Sequence, residues 1–168
     1  TEAKRFCREV TDCNIDWLEE PVSSDDHQGL AEVRASTDVP IATGESEFTR
    51  FAFRDLAERR AADIFQPDLS VTGGMTEGVR IEAIAAAYGI RTATHHWGGP
   101  ITFMSGLHLA ASSTSGFIIE YPSGAAPILD QLAVEDFPVV DGFVDIPERP
   151  GWGVTINEEF VAKSKVQL

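Results

Sequence analysis

The chain has 168 residues, 43% hydrophobic and 24% charged, which is enough apolar material for one soluble globular domain with a sizeable core and argues against a disordered segment. Its formal net charge of -14, without any basic stripe, argues against a nucleic-acid partner and against an anionic membrane surface, since both need clustered Lys and Arg. There is no apolar run of about 18 residues, no signal peptide and no Asn-x-Ser/Thr acceptor, so a cytoplasmic location is expected.

Glu2 to Thr11 reads as a helix already in mid-course, with Phe6 and Val10 on one face. No Met precedes Thr1, so further sequence upstream is expected. Cys7 and Cys13 point in different directions on such a helix, and two reduced thiols are expected rather than a disulfide. Ile15-Asp16-Trp17-Leu18 is a short strand candidate that ends in Glu19-Glu20 and is stopped by Pro21. Leu30 to Ser36 follows as a short helix, then Val39-Pro40-Ile41-Ala42 as a strand ending at Gly44-Glu45. Phe51 to Ala62 sets Phe53, Leu56 and Ala57 among charged residues, the pattern of a helix covering a sheet. Ile64 and Phe65 lead to Asp68. Thr76 to Tyr88 is a helix with Val79, Ala83, Ile84 and Ala87 on one face and Gly89 where a C-terminal cap falls. Ile90 to Thr94 is a strand ending at His95, Phe103 to Ser112 is helical, and Phe117 to Ile119 is a last strand ending at Glu120.

The residues at the strand ends recur at nearly constant intervals: 45−19 = 26, 68−45 = 23, 95−68 = 27 and 120−95 = 25. A strand, a helix and two loops consume roughly that length, so the chain reads as successive β/α units with a parallel sheet. A doubly wound sheet usually announces itself with a glycine-rich phosphate turn, and neither G-x-G-x-x-G nor G-x-x-x-x-G-K-[ST] occurs. In a (β/α)8 barrel, polar residues from several strands converge at the C-terminal ends, and Glu, Glu, Asp, His and Glu ending five strands fit that placement. Residues 1–133 are therefore assigned to a barrel portion. From Val134 the chain changes to short extended pieces and the turn Pro150-Gly151-Trp152-Gly153, so 134–168 reads as a tail that packs elsewhere.

Two carboxylates in one cleft, Glu19 and Glu45, repel each other unless a proton or cation stands between them, and all-oxygen ligands suit Mg²⁺. Asp68 and His95 end strands flanking one crossover helix, which makes the strands candidates for parallel neighbours. An aspartate accepting from one imidazole nitrogen fixes the tautomer and makes the other nitrogen a general base or acid near neutral pH. Glu120 is a candidate to hydrogen-bond a developing oxyanion if its pKa is raised enough for it to keep a proton. His96 points away from His95 on a strand and is read as packing, with substrate contact as the alternative, and His27 and His108 are assigned to the surface or to helix packing. Trp97-Gly98-Gly99 is either a wall beside the substrate or a turn, and Ser46, Glu47 and Arg50 are further candidates for lining the pocket.

Trp17-Leu18-Glu19-Glu20-Pro21, Gly44-Glu45, Phe65-Gln66-Pro67-Asp68 before Gly73-Gly74, then His95 and Glu120, together resemble the C-terminal barrel of the enolase superfamily, in its mandelate racemase subgroup. The resemblance implies strands four to eight of a TIM-type barrel, with Glu19 and Glu45 as Mg²⁺ ligands, Asp68 and His95 as an acid/base dyad and Glu120 as the group on the enolate. It also implies a third metal ligand, a lysine base and a capping domain, all before Thr1, with the tail 134–168 packing on that capping domain. The expected activity is Mg²⁺-dependent dehydration of an acid sugar, a small-molecule carboxylate, to a 2-keto-3-deoxy acid. The alternatives are racemisation or epimerisation of a 2-hydroxy acid, and a non-catalytic barrel fragment. A homo-oligomer is expected.

Overall fold

The computed structural model of the chain describes residues 2–122 and 127–165, so the last three residues of the tail lie outside it. Helix α1 (Glu2–Glu9) and a 3-10 turn (Thr11–Cys13) lead into strand β1 (Leu18–Glu19), helix α2 (His27–Arg34) and strand β2 (Ile41–Thr43). Helix α3 (Thr49–Glu58), strand β3 (Ile64–Phe65), helix α4 (Gly74–Tyr88) and strand β4 (Arg91–Thr94) continue the alternation. Helix α5 (Pro100–Ser112) and strand β5 (Gly116–Ile119) complete it, and two short helices, α6 (Pro127–Gln131) and α7 (Glu158–Lys163), follow.

The five strands form one sheet in chain order, every neighbouring pair parallel, with Glu19 opposite Ala42, Thr43 opposite Phe65, Phe65 opposite Thr92 and Thr94 opposite Ile119. Order in space equal to order in sequence means that strand order never reverses across the sheet, as a doubly wound fold would require. The sheet also curls. Strands four places apart in a flat sheet lie about 19 Å from each other, yet the Trp17 ring beside β1 meets the Phe117 ring of β5 edge-on with centroids 6.2 Å apart. A five-strand arc closing toward a barrel accounts for that approach.

Strand alternation sorts side chains into two layers. Ile41 and Phe65 point outward and join Leu30, Phe53, Leu56 and Ile81 from the helices, while Ala42, Ile64 and Ala93 point inward with Trp17. Phe53 and Phe65 are both fully buried and meet edge-on at 5.1 Å, each contributing roughly 1.5–3 kcal/mol of apolar burial. Helix ends are set locally. The Asp26 side chain caps α2 by accepting from the Gly29 amide at 2.8 Å, and Gly89 closes α4 with φ +67°, a left-handed conformation that a side chain would strain.

Several boundaries and faces differ from expectation. Residues 15–17 are not strand; pairing begins at Leu18, whose amide bonds Pro40 O, because Trp17 is used in the inner layer. The buried face of α1 is Cys7, while Phe6 is 45% exposed. On α4 the buried positions are Gly78, Ile81, Glu82 and Ala85, and Val79 is exposed. Periodicity misled there because Ala83 and Ala87 cost nothing on the solvent side, whereas the polar Glu82 turns inward. Both cysteines are free. In the tail, Phe137, Val144, Trp152 and Val154 pack on Phe103, Met104 and Leu107 of α5, and the Trp152 ring meets His108 edge-on at 5.5 Å. Among the described residues, no helix is long and apolar enough to cross a membrane.

Candidate functional site

The C-terminal ends of all five strands open into one cleft of about 700 Å³ that Glu19, Glu45, Asp68, His95 and Glu120 line together. Parallel pairing puts these ends side by side: Glu19 is the last residue of β1, Glu45 and Asp68 follow β2 and β3 by two and three residues, and His95 and Glu120 directly follow β4 and β5. At Glu45 the turn depends on Gly44, which has φ +135°. A Cβ there would come within 2.7 Å of the Phe53 ring and 3.1 Å of the Gln66 amide, so only glycine lets the chain pass.

His95 sits at the centre of the charged groups. Its Nδ1 is 2.9 Å from Asp68 Oδ2, and its Nε2 is 3.3 Å from Glu45 Oε2 and 3.5 Å from Glu120 Oε2. The other Asp68 oxygen, Oδ1, accepts from the Ser70 amide at 2.7 Å and from the Ser70 hydroxyl at 2.6 Å. Burial alone would raise the Asp68 pKa, but the His95 bond and the two Ser70 donors outweigh it and hold the carboxyl below its usual range. For His95, burial favours the neutral ring, and the Asp68 bond with the Glu45 and Glu120 charges overcomes it, leaving the pKa raised. The dyad is thus an ionised aspartate on an imidazole disposed to carry a proton on Nε2, facing the cleft. Glu120 is fixed in turn, because its Oε2 accepts from the His96 amide at 2.9 Å.

Carboxylates crowd the other side. Burial raises the Glu45 pKa most, His95 opposes it, and Glu20, Glu19 and Glu120 push it further up. That accumulation is the environment a divalent cation relieves, and Glu19 and Glu45 supply the hard oxygen donors it prefers. Among the described residues no group of three or more His, Cys, Asp or Glu side chains gathers to hold an ion. Two carboxylates, completed by water and substrate oxygens, suit Mg²⁺, which keeps part of its hydration shell. Glu20 is not part of this set: it has φ +39° and its Oε1 accepts from the Thr43 hydroxyl at 3.1 Å.

Other candidates fall out differently. Ser46 lines the cleft, but Glu47 turns away to His27 Nε2 at 2.8 Å and Arg50 pairs with Glu77. His27 also meets Asp55 at 2.6 Å, so it ties the loop after β2 to α3. Its pKa is raised, because the bonds to Asp55 and Glu47 outweigh burial. His96 is buried and packs edge-on against Phe103, with its pKa lowered chiefly by burial. His108 bonds Met104 O. Trp97 is 84% exposed at the rim of the cleft, with Phe48 and Val71 beside the opening. Ser70 and Gln66 were missed. The Asp-x-Ser spacing is a turn signal that would have found Ser70, whereas Gln66 has no local signature.

Residues 1–160 match the enolase C-terminal domain-like family. The chain is 36% identical to a D-xylonate dehydratase of Haloferax volcanii over 165 residues, 98% of this chain and 40% of that protein. It is 36% identical to a D-galactonate dehydratase of Xanthomonas campestris, covering 96% of this chain and 44% of that one. It therefore spans about two-fifths of the length of these curated relatives. Among solved structures, a mandelate racemase/muconate lactonizing enzyme from Jannaschia superposes with TM-score 0.90 at 33% identity over 98% of this chain and 42% of that one. The 3,6-anhydro-D-galactonate cycloisomerase of Zobellia galactanivorans gives TM-score 0.90 at 30% identity over 96% of this chain and 46% of that one.

Proposed function

Because the chain belongs to the enolase superfamily, in its mandelate racemase subgroup, we propose that it carries the acid/base half of an Mg²⁺-dependent sugar-acid dehydratase. The observation that carries this reading is the orientation of His95: Nδ1 is committed to Asp68, and Nε2 faces the cleft between Glu45 and Glu120. The dehydratase names of the two curated relatives support the substrate class.

The reaction starts with loss of the proton α to the substrate carboxylate, assigned to a lysine base on an earlier barrel strand. Mg²⁺ held by Glu19 and Glu45 would offset negative charge on the substrate carboxylate as that proton leaves. Glu120, with its Oε2 held by the His96 amide, is assigned to the hydrogen bond on the enolate oxygen. His95, as imidazolium, gives its Nε2 proton to the β hydroxyl; the Cβ–O bond breaks, water departs, and the electron pair of the enolate becomes the new double bond. Tautomerisation of that enol gives the 2-keto-3-deoxy acid. Asp68 compensates the imidazolium before transfer and keeps the proton on Nδ1 afterward. Trp97 and Phe48 at the rim are assigned to the distal carbons of the substrate. The tail 134–168 is assigned to docking on a capping domain, which its exposed Val139, Val140 and Phe143 support.

The test is to incubate the protein as its gene encodes it, with Mg²⁺, against a panel of aldonic and aldaric acids. Formation of a 2-keto-3-deoxy acid is the expected result. Exchange at the α carbon with inversion and no keto acid would assign racemisation, and no turnover of any member would leave a non-catalytic barrel.

A further inference from the structure

Glu19 is held by two N–H donors that converge on the same oxygen. Gln66 Nε2 donates to Oε2 at 2.7 Å and Trp17 Nε1 donates to it at 3.3 Å. One donor comes from the end of β3 and the other from the residue before β1, so the carboxylate is gripped from two directions. Among the described residues, Oε1 receives no hydrogen bond.

Gln66 is an unusual residue for this place. It is 6% exposed, and its own carbonyl oxygen is buried without a partner among the described residues. The amide cannot be turned over, because that would set two acceptors against each other at the Glu19 contact. An unpaired buried carbonyl oxygen costs stability, and an apolar side chain of the same length would avoid the cost. The polar head of Gln66 is therefore explained by what its N–H does for Glu19 rather than by packing.

We infer that Gln66, assisted by Trp17, is a positioning residue that fixes the Glu19 carboxylate through Oε2 and leaves Oε1 as the oxygen presented to a divalent cation. This rests on the reading of Glu19 as a cation ligand. Donors of this kind orient a ligating carboxylate before the ion arrives, and losing one typically weakens metal affinity by about 10- to 100-fold.

The test uses Mn²⁺ alone, without substrate, followed by calorimetry and by the electron paramagnetic resonance signal of the free ion, on the protein as its gene encodes it. Gln66→Met removes the N–H donor and the orphaned oxygen together at nearly constant volume; it should weaken Mn²⁺ binding about 10-fold while the metal-free unfolding temperature stays level or rises. Trp17→Phe keeps a ring in the inner layer and removes only the longer bond, so about a threefold loss is expected. Glu19→Gln is the reference and should remove saturable binding. If Gln66→Met and Trp17→Phe bind Mn²⁺ as tightly as the parent while Glu19→Gln does not, the positioning role is overturned and the ligand assignment stands. A Gln66→Met protein that loses both affinity and stability would mark the contact as structural, which also overturns the inference. If Glu19→Gln itself binds like the parent, the ligand assignment fails, and this inference fails with it.

Discussion

Replacing Asp68 by asparagine tests the dyad more sharply than deleting it, because the surrounding donors dictate how the new amide must sit. One carboxylate oxygen, Oδ1, takes the Ser70 amide at 2.7 Å and the Ser70 hydroxyl at 2.6 Å. A backbone N–H cannot be reversed, so in Asp68→Asn the amide oxygen has to occupy that position and the NH2 group has to face His95. The 2.9 Å contact to Nδ1 then survives only with Nδ1 as acceptor, which puts the proton of the neutral ring on Nε2. That is the wrong tautomer for a group that must exchange a proton through Nε2, and the compensating negative charge is gone as well. Hydrogen-bond count is preserved, so the fold should lose no more than about 1 kcal/mol. Turnover with an accepted acid sugar should fall by about two to four orders of magnitude, the usual weight of a positioned acid or base. The tautomer can be read without substrate, from long-range proton–nitrogen correlation of the His95 ring. A ring that keeps its proton on Nδ1 in the variant, or turnover within a few-fold of the parent, would refute the reasoning.

Three further outcomes follow from groups elsewhere in the fold. His27→Ala should destabilise the protein by about 1–3 kcal/mol through loss of two charge-assisted bonds on a partly exposed network. Since the folded pKa of His27 is raised above 6.5, this contribution is fully present below that value and is lost as pH rises through the folded pKa; denaturant titrations of parent and variant that differ equally at about pH 5.5 and about pH 9 would contradict it. Glu82 is buried, with its pKa raised by burial against the Ser113 and Thr92 bonds, so its favourable contribution is present when it is protonated and is lost as pH rises through the folded pKa. Glu82→Gln should therefore gain on the parent by about 1 kcal/mol between acid and neutral pH, and a flat difference across that range would show that the carboxyl titrates alike in the folded and unfolded states. Gly44→Ala, blocked by the Phe53 ring and by a positive φ, should cost about 3 kcal/mol in denaturant unfolding; an unchanged midpoint would mean that the turn carrying Glu45 relaxes freely.

The parallel sheet and the cleft were legible because crossover length constrains both. Each β/α unit consumes nearly the same stretch of chain, so chemically conspicuous residues at regular intervals mark strand ends even where the strands are only two residues long, as β1 and β3 are. What periodicity could not supply was which face of an alanine-rich helix is buried: Val79 looked like core, and Glu82 occupies it. The second tier of the site was hidden for another reason. Glu47 and Arg50 sit beside Glu45 in sequence but spend their charge on His27 and Glu77, whereas Gln66 and Glu19, 66−19 = 47 positions apart, share a hydrogen bond. Contacts of that range depend on the curl of the sheet, which no local pattern encodes.

Strand order that follows chain order has a consequence for how the molecule assembles as it leaves the ribosome. Within the described sheet each strand finds its predecessor already made, and closing each unit of similar length carries a similar entropic cost. The charges, however, arrive out of balance. Glu19 and Glu45 meet as soon as β2 docks on β1, while His95, the imidazole that touches Glu45 at 3.3 Å, is still unsynthesised. A nascent chain is therefore left with two acids facing each other for the time it takes to make about fifty more residues, at ~5–20 residues per second. During that interval a cation from the surrounding medium is the nearest available counter-charge, so ionic conditions should matter more to the growing chain than to the finished one.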